Sequence, residues 1–164
     1  MLTFQVEDWQ TLERDAAEIF KVHYDELALH KDAMPMGVDG SIYRELERLG
    51  RLLVVTARRD GALVGYYMAI FIPKHPHNKD AGPVSTTDFF YLLPAHRKGG
   101  AGAKLLIAAL GELKKRGMTV ASISIKYARE LATGKRTWKL IESLGGEATD
   151  IVFQFVLTGD LPRV

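Results

Sequence analysis

Apolar residues recur at helical spacing near the start of the chain. Between Asp8 and His30 they fall about three or four positions apart, which is the pattern of an amphipathic helix. A proline and two glycines in residues 31–40 end this pattern. A shorter helix is predicted from Ser41 to Leu49, with Gly50 in the place of a C-terminal cap.

The hydrophobic pattern then changes to that of β-strands. Segments 51–59 and 62–72 are rich in strand-forming apolar residues, and Asp60-Gly61 between them predicts a hairpin turn. This part of the chain and the βαβ-like half that follows predict an α/β fold with a mixed sheet and about four helices. No repeat or linker divides residues 1–164, so we expect one domain. The remaining predicted elements are strands at 2–6, 84–93, 119–125 and 151–157 and helices at 103–117 and 133–144.

Composition limits the function classes. The 164 residues are 47% hydrophobic and 26% charged, which is the balance of a globular protein. The absence of cysteine excludes disulfides, zinc–thiolate sites and thiol nucleophiles. The first residues lack the regions of a signal peptide, and no apolar run approaches the roughly 20 residues that span a bilayer. We therefore expect a cytoplasmic protein without a membrane partner.

Charge is distributed unevenly along the chain. Residues 1–50 hold 11 acidic and 5 basic side chains, whereas residues 96–139 hold 11 basic and 2 acidic ones. This asymmetry indicates a polyanion bound by the second half and a cationic group met by the first. The alternative is that both segments are solvated helix faces. A nucleic acid also fits the basic half, but neither aromatic interleaving nor a binding signature accompanies the charge, which disfavours such a partner.

A glycine-dense turn joins the third long strand to a helix. Gly99, Gly100 and Gly102 allow a ligand to approach the backbone closely, and a helix N-terminus adds free N–H groups and partial positive charge. The pattern indicates a pyrophosphate site; the alternative is that the glycines serve only the turn. The nearby cationic side chains are His96, Arg97, Lys98 and Lys104.

Two common phosphate-binding motifs are excluded at this turn. A P-loop requires Lys followed by Ser or Thr, but Lys104 is followed by Leu105. A dinucleotide-binding fold requires Gly-x-Gly-x-x-Gly and an acidic residue about 20 positions later. Neither the glycine spacing nor the strand ending in Lys126 meets that requirement.

The segment Arg97-Lys98-Gly99-Gly100-Ala101-Gly102 resembles the Arg/Gln-x-x-Gly-x-Gly/Ala signature of the GCN5-related N-acetyltransferases (GNAT family). The preceding strand, the following helix and the order of elements along the whole chain are similar to that family. So is the segment 139–145, a helix that ends in glycine. Within the family, the chain resembles members found in phage and prophage genomes. The resemblance implies a central, mostly antiparallel mixed sheet.

The resemblance also implies acetyl-CoA as the acyl donor. Backbone groups of Leu92 and Leu93 would hold its pantetheine arm, which lies where this strand and the next splay apart. The resemblance assigns the pyrophosphate to the backbone amides of Arg97, Lys98, Gly99, Gly100, Ala101, Gly102 and Ala103.

Acetyl transfer to an amine needs a base to make the amine neutral and a proton for the departing thiolate. Asp88 is the candidate base, since it lies on the strand before the turn, near the position of an acid in some family members, and Phe89 and Phe90 would desolvate it. The alternative is a strand aspartate with no catalytic role. Family members often carry a tyrosine acid in the last helix, but here Ile141 stands at that position. Tyr127 is the candidate replacement.

The first two helices and the loop 73–83 are expected to form the acceptor site. One of Tyr66 and Tyr67, on opposite faces of a strand, should lie near it. His75 and His77 are candidates for a substrate gate or a base; as metal ligands they lack an obvious third partner, so we expect no metal. The further candidate lining residues are His23, Tyr24, Asp32 and Tyr43.

Three functions therefore stay open from the sequence. The first is an N-acetyltransferase that acts on a primary amine of a small molecule or a protein. The second is a catalytically silent module of the same fold that binds CoA or a host protein, favoured by the missing tyrosine. The third is a nucleic-acid binder. A homodimer is an additional expectation, because edge strands of this fold commonly pair between subunits.

Overall fold

The structure, a computed structural model, describes residues 1–28, 30–74, 80, 82–124 and 139–146. The predicted strand at 151–157 and the first half of the predicted helix at 133–144 lie outside the described residues; residues 139–143 are helical. The described elements are β1 (Leu2–Val6), α1 (Trp9–Leu27), α2 (Gly40–Arg48), β2 (Leu52–Arg59), β3 (Ala62–Ile72), β4 (Val84–Leu92), a 3₁₀ turn (Pro94–His96), α3 (Ala101–Lys115) and β5 (Val120–Ser122).

The five strands form one mixed sheet in the order β1-β2-β3-β4-β5. The first four pair antiparallel, and β5 pairs parallel with β4 after the α3 crossover. The predicted mixed, mostly antiparallel sheet is thus confirmed. The predicted hairpin lies at Asp60 and Gly61, which take φ values of 50° and 86°, as the tight turn between β2 and β3 requires.

Helices cover both faces of this sheet because strand residues alternate between the faces. On one face α3 packs against the odd-numbered residues of β2, such as Leu53 and Val55. On the other face α1 packs against Leu52 and Val54 through a stripe of buried side chains. The stripe consists of Trp9, Leu12, Ala16 and Ile19, which recur at helical spacing.

A β-bulge interrupts the pairing of β3 with β4. Met68 pairs with Phe89 and Ala69 pairs with Thr87, so Asp88 is the extra residue on β4. A bulge leaves its extra residue without a cross-strand partner and changes the direction of nearby side chains. Asp88 therefore departs from the regular alternation of the strand.

The pairing of β4 with β5 is much shorter than β4 itself. It covers Val84 to Thr86, and the Thr87 hydroxyl donates to the Ser122 carbonyl at 3.1 Å just beyond it. From Asp88 to Leu92, β4 has no β5 partner among the residues that the structure describes. Within the described part of the chain, this stretch of β4 thus has an open edge, which the 3₁₀ turn Pro94–His96 connects to the glycine turn.

No helix among the described residues is both long and apolar enough to cross a membrane.

Candidate active site

The glycine turn forms the start of α3. Gly99 and Gly100 have φ values of 66° and 73°, in the left-handed region that glycine adopts without strain. Gly100 is the N-cap residue, and its carbonyl accepts from Lys104 N at 3.0 Å as the first helical bond. The N–H groups of the first helical turn, which include those of Gly102 and Ala103, have no partner within the helix by geometry. They are therefore donors for an anion.

Open space surrounds the glycines of this turn. A Cβ added at Gly99, Gly100 or Gly102 would meet no heavy atom within 4 Å. Lys98 and Lys104 are at least partly exposed beside them, whereas Ala101 is buried and anchors α3 on the core. The turn thus presents backbone amides and two lysines to an approaching polyanion.

Arg97 differs from these lysines because its side chain turns inward. Its guanidinium donates two hydrogen bonds to the Glu26 carboxylate on α1, at 2.7 and 2.6 Å, and Nε donates to the Leu92 carbonyl at 2.7 Å. It also lies 5.3 Å from the ring centre of Tyr91, whose hydroxyl donates to Glu26 at 2.8 Å. Hydrogen bonds from Arg97 lower the pKa of Glu26, so this carboxyl stays ionised beside the guanidinium.

The end of β4 connects the turn to the sheet. Leu93 N donates to the Val64 carbonyl of β3 at 2.9 Å, and the Leu93 carbonyl accepts from His96 N at 2.8 Å. Because backbone groups of neighbouring strand residues point to opposite edges, the N–H of Leu92 faces the edge away from β3. That edge is the one left open by β5.

A cavity of about 310 Å³ lies on the opposite side of the sheet from α3, beneath α1 and the α1–α2 connection. Both tyrosine candidates on the early helices, Tyr24 and Tyr43, line this cavity, as does Tyr66 of β3. The full lining consists of Trp9, Phe20, His23, Tyr24, Leu27, Ala28, His30, Met34, Pro35, Met36, Gly37, Val38, Tyr43, Tyr66 and Phe89.

Asp88 contacts the wall of this cavity. The Tyr43 hydroxyl donates to Asp88 Oδ2 at 2.7 Å, a contact that joins α2 to the bulge of β4. Burial raises the pKa of Asp88, and the bond from Tyr43 offsets only part of that effect. Burial and the same bond raise the pKa of Tyr43, so the phenol keeps its proton. The arrangement supplies a carboxylate that accepts a proton more readily than an exposed aspartate.

A second polar pair lies in the cavity wall. His23 Nδ1 is 2.7 Å from the Tyr66 hydroxyl, and the His23 ring stacks on Tyr91 with centroids 4.3 Å apart. Burial raises the pKa of Tyr66, so its hydroxyl is neutral. Aromatic contacts thus connect the cavity to Tyr91, whose hydroxyl bonds Glu26, the partner of Arg97 at the turn.

A sequence model of the Acetyltransferase (GNAT) family matches residues 7–140, which is most of the chain and includes the glycine turn, the bulge and the cavity wall. The chain belongs to the GNAT acetyltransferase family. The resemblance seen in Arg97 to Gly102 is thereby confirmed. None of the curated protein sequences matches it significantly.

Solved structures share this GNAT fold. A Clostridium acetobutylicum predicted acetyltransferase with acetyl-CoA is 15% identical, covering 94% of this chain and 96% of its own, with a TM-score of 0.68. The aminoglycoside acetyltransferase meta-AAC0020, from an uncultured soil metagenomic sample, in complex with sisomicin, is 13% identical, covering 97% of each chain, with a TM-score of 0.69. A ribosomal-protein-alanine N-acetyltransferase from Brucella melitensis biovar Abortus 2308 is 16% identical, covering 97% and 100%, with a TM-score of 0.65. At these identities the likeness concerns the fold.

The structure brings together several of the residues expected in the site of this GNAT protein. Asp88, Tyr24 and Tyr43 lie at or beside the cavity, whereas Asp32 is exposed and does not line it. Of the two tyrosines on β3, Tyr66 faces the cavity and Tyr67 packs on the α3 side. Three expected residues, His75, His77 and Tyr127, lie outside the described residues.

Two residues, Ile141 and Glu26, illustrate what could and could not be predicted about this site from the sequence. Ile141, at the position where relatives often carry tyrosine, packs against the α3-side core. Glu26 was not predicted as a site residue, because its partner Arg97 is 71 positions away and no local motif joins them. The available signal for Glu26 in the sequence was its position, as a carboxylate on the inner side of α1.

The described residues contain no group of three or more potential metal ligands.

Proposed function

We propose that this GNAT protein transfers the acetyl group of acetyl-CoA to a primary amine of a small molecule or protein. The observation that carries the proposal is that a single strand, β4, holds both parts of the site. Its unpaired edge runs from Asp88 to Leu92, and the 3₁₀ turn Pro94–His96 leads from there to the glycine turn. Four strand residues span about 13 Å, so an extended arm along this edge would lead from the end of β4 beside the turn to the carboxyl group.

The donor would bind along this edge and at the turn. The backbone amides from Lys98 to Ala103 and the side chain of Lys98 fit a pyrophosphate, because the glycines leave open space above the backbone. The Arg97 N–H, which was also expected there, instead donates to the Pro94 carbonyl at 3.3 Å. The Leu92 N–H faces the open edge and fits an amide of the pantetheine arm, whereas the Leu93 N–H is used by Val64. When bound, acetyl-CoA supplies an activated thioester. A neighbour with the same fold has a structure with acetyl-CoA.

Asp88 would act as the general base. An ammonium acceptor loses a proton to the Asp88 carboxylate, directly or through a water, and the neutral amine attacks the thioester carbonyl. The C–N bond forms and the C–S bond breaks, the nitrogen loses its second proton, and the thiolate takes up a proton, so that one proton per amide is finally released from Asp88 to solvent. The Tyr43 hydroxyl holds the carboxylate in place at 2.7 Å. Tyr127 stays a candidate proton donor for the thiolate, with solvent as the other source.

A second function is a catalytically silent module that binds CoA or a host protein through the same fold. The observation in its favour is Ile141, an apolar residue packed on the core where family members often carry a tyrosine acid.

Calorimetric titration of acetyl-CoA, followed by a thiol-release assay with a panel of primary amines, distinguishes these functions. Binding together with amine-dependent release of CoA is the expected result. Binding without release for any amine would favour the silent module. Gly100→Trp is the control for the donor site, since its indole would fill the space above the turn. If the intact protein does not bind acetyl-CoA, the proposal is overturned.

A further inference from the structure

The cavity beside Asp88 has an unusual lining for a site that accepts a cationic amine. Among the described residues, its wall contains no Asp, Glu, Lys or Arg. Ring side chains form much of it: Trp9 stacks on Tyr43 with centroids 4.2 Å apart, and Phe20 meets Tyr66 edge-to-face at 5.4 Å. Phe89 of β4 completes the ring cluster. Such a wall favours an apolar, flat body.

The mouth of the cavity is also apolar. Met34, Met36 and Val38, in the connection between α1 and α2, both line the cavity and expose 66%, 43% and 43% of their surface. Methionine side chains are flexible and polarisable, so they adapt to the shape of an apolar ligand. The apolar character thus extends from the interior of the cavity to solvent.

Carboxylates border the described wall without being part of it. Glu26 is paired with Arg97, and Glu47 accepts from the backbone N–H of Trp9 at 2.8 Å. Asp88 lies behind Tyr43, which donates to it at 2.7 Å. Of these carboxylates, Asp88 is the one on β4, at the edge proposed for the donor, so it is the one placed for the reacting amine. A polyamine or an aminoglycoside would place additional ammonium groups against apolar side chains, at a large desolvation cost.

We propose that the acceptor is a primary monoamine attached to an aromatic or branched apolar body, which fills this cavity and directs its single amine to Asp88. This inference rests on the proposed acetyltransferase function and narrows it. A volume of about 310 Å³ suits a body of one or two rings. The acceptor class thus differs from that of the aminoglycoside acetyltransferases that share the fold.

Two measurements on the intact protein test the inference and separate it from the proposed function. Calorimetry compares the binding of 2-phenylethylamine and spermidine to protein saturated with CoA, and thiol release compares their kcat/KM values with acetyl-CoA. We expect 2-phenylethylamine to bind at least tenfold more tightly and to have at least a tenfold higher kcat/KM. Tighter binding or faster turnover of spermidine overturns the acceptor class while leaving the acetyltransferase intact. Preferential binding of 2-phenylethylamine without CoA release supports the class and contradicts the enzyme.

Substitutions at the mouth give a matched comparison. Met36→Glu adds a carboxylate to the cavity wall, whereas Ile107→Glu adds one to a similarly exposed apolar position on α3, outside the cavity. We expect Met36→Glu to reduce the affinity for 2-phenylethylamine at least fivefold and to increase that for spermidine, and Ile107→Glu to change neither. Val38→Glu provides a second mouth variant. Equal affinities for 2-phenylethylamine in all three variants and the unchanged protein would rule out this cavity as the acceptor site.

Discussion

At the scale of single residues, Asp88 combines a cost in folding stability with the proposed role of general base. Burial raises the pKa of its carboxyl above the ordinary value of 3.8. A group whose pKa is raised by folding binds its proton more tightly in the native state. Its contribution to stability is therefore present below pH 3.8 and is lost as the pH rises through the raised pKa. A residue that destabilises the neutral-pH fold in this way is typical of a functional site.

Replacing Asp88 with asparagine should separate these two effects. The amide of the Asp88→Asn variant cannot take a proton from the amine, so kcat/KM should fall by roughly 10²- to 10⁴-fold. The amide oxygen can still accept from Tyr43, and the charge is gone, so the free energy of unfolding at pH 7 should equal or exceed that of the unchanged protein. Thiol-release kinetics and urea unfolding between pH 3 and pH 8 measure both quantities. A variant with full activity would remove Asp88 from the mechanism.

Sequence patterns placed Asp88 on the right strand but did not reveal its environment. Alternation along Val84 to Leu92 identifies the strand, whereas the bulge depends on the register with Met68 and Ala69 of another strand. The hydrogen bond from Tyr43 spans 45 positions and is likewise not encoded in any local spacing. The sequence could therefore identify Asp88 as a candidate base. Its contacts could not be predicted, because they depend on residues that are distant along the chain.

At the scale of elements, the turn before α3 was predictable because it depends on local backbone geometry. Glycines followed by an apolar helical pattern suffice to identify it in the sequence, and in the structure these glycines take positive φ. The inward direction of Arg97 was not predictable, since it is set by Glu26 on a distant helix. Neighbouring cationic residues of one motif can therefore differ in their surroundings: Arg97 forms an ion pair inside the fold, whereas Lys98 is exposed.

Gly100→Ala and Gly50→Ala form a matched pair that tests the turn. Both glycines have φ near 70°, at 73° and 66°, and both have open space where a Cβ would stand. Each alanine should cost about 1–2 kcal/mol of unfolding free energy, because a Cβ is strained in the left-handed region. Only Gly100→Ala should also weaken acetyl-CoA binding, by about tenfold or more, since its methyl group stands where the phosphates would approach. Calorimetry and urea unfolding test both; equal dissociation constants in the two variants would contradict a donor site at this turn.

At the scale of the whole molecule, the sheet separates the α3 side, next to the proposed donor turn, from the side of the proposed acceptor cavity. The α3 helix packs on one face, and α1 with the cavity lies on the other. The ion pair between Arg97 and Glu26 crosses the end of β4 and connects the turn before α3 to α1. Both side chains are about three quarters buried, with 28% and 24% of their surface exposed. The pair is therefore expected to stabilise the relative position of the two sides.

The Glu26→Gln variant should measure how much this ion pair contributes to the free energy of unfolding, and Glu45→Gln is its control. Glu45 pairs with Arg48 within α2 at exposed positions, so its removal should change stability little. Loss of the Glu26 carboxylate should cost about 1 kcal/mol at pH 7, because Arg97 is left with a neutral partner. The hydrogen bonds from Arg97 lower the pKa of Glu26 below its ordinary 4.5, so the stabilisation is complete above pH 4.5 and is lost as the pH falls through the lowered pKa. In urea unfolding the gap between the unchanged protein and Glu26→Gln should accordingly narrow below pH 4.5. The difference in unfolding free energy at pH 7 could instead be absent, or no larger than the difference produced by Glu45→Gln. Either result would mean that packing across the sheet, and not this ion pair, holds the turn before α3 in place relative to α1.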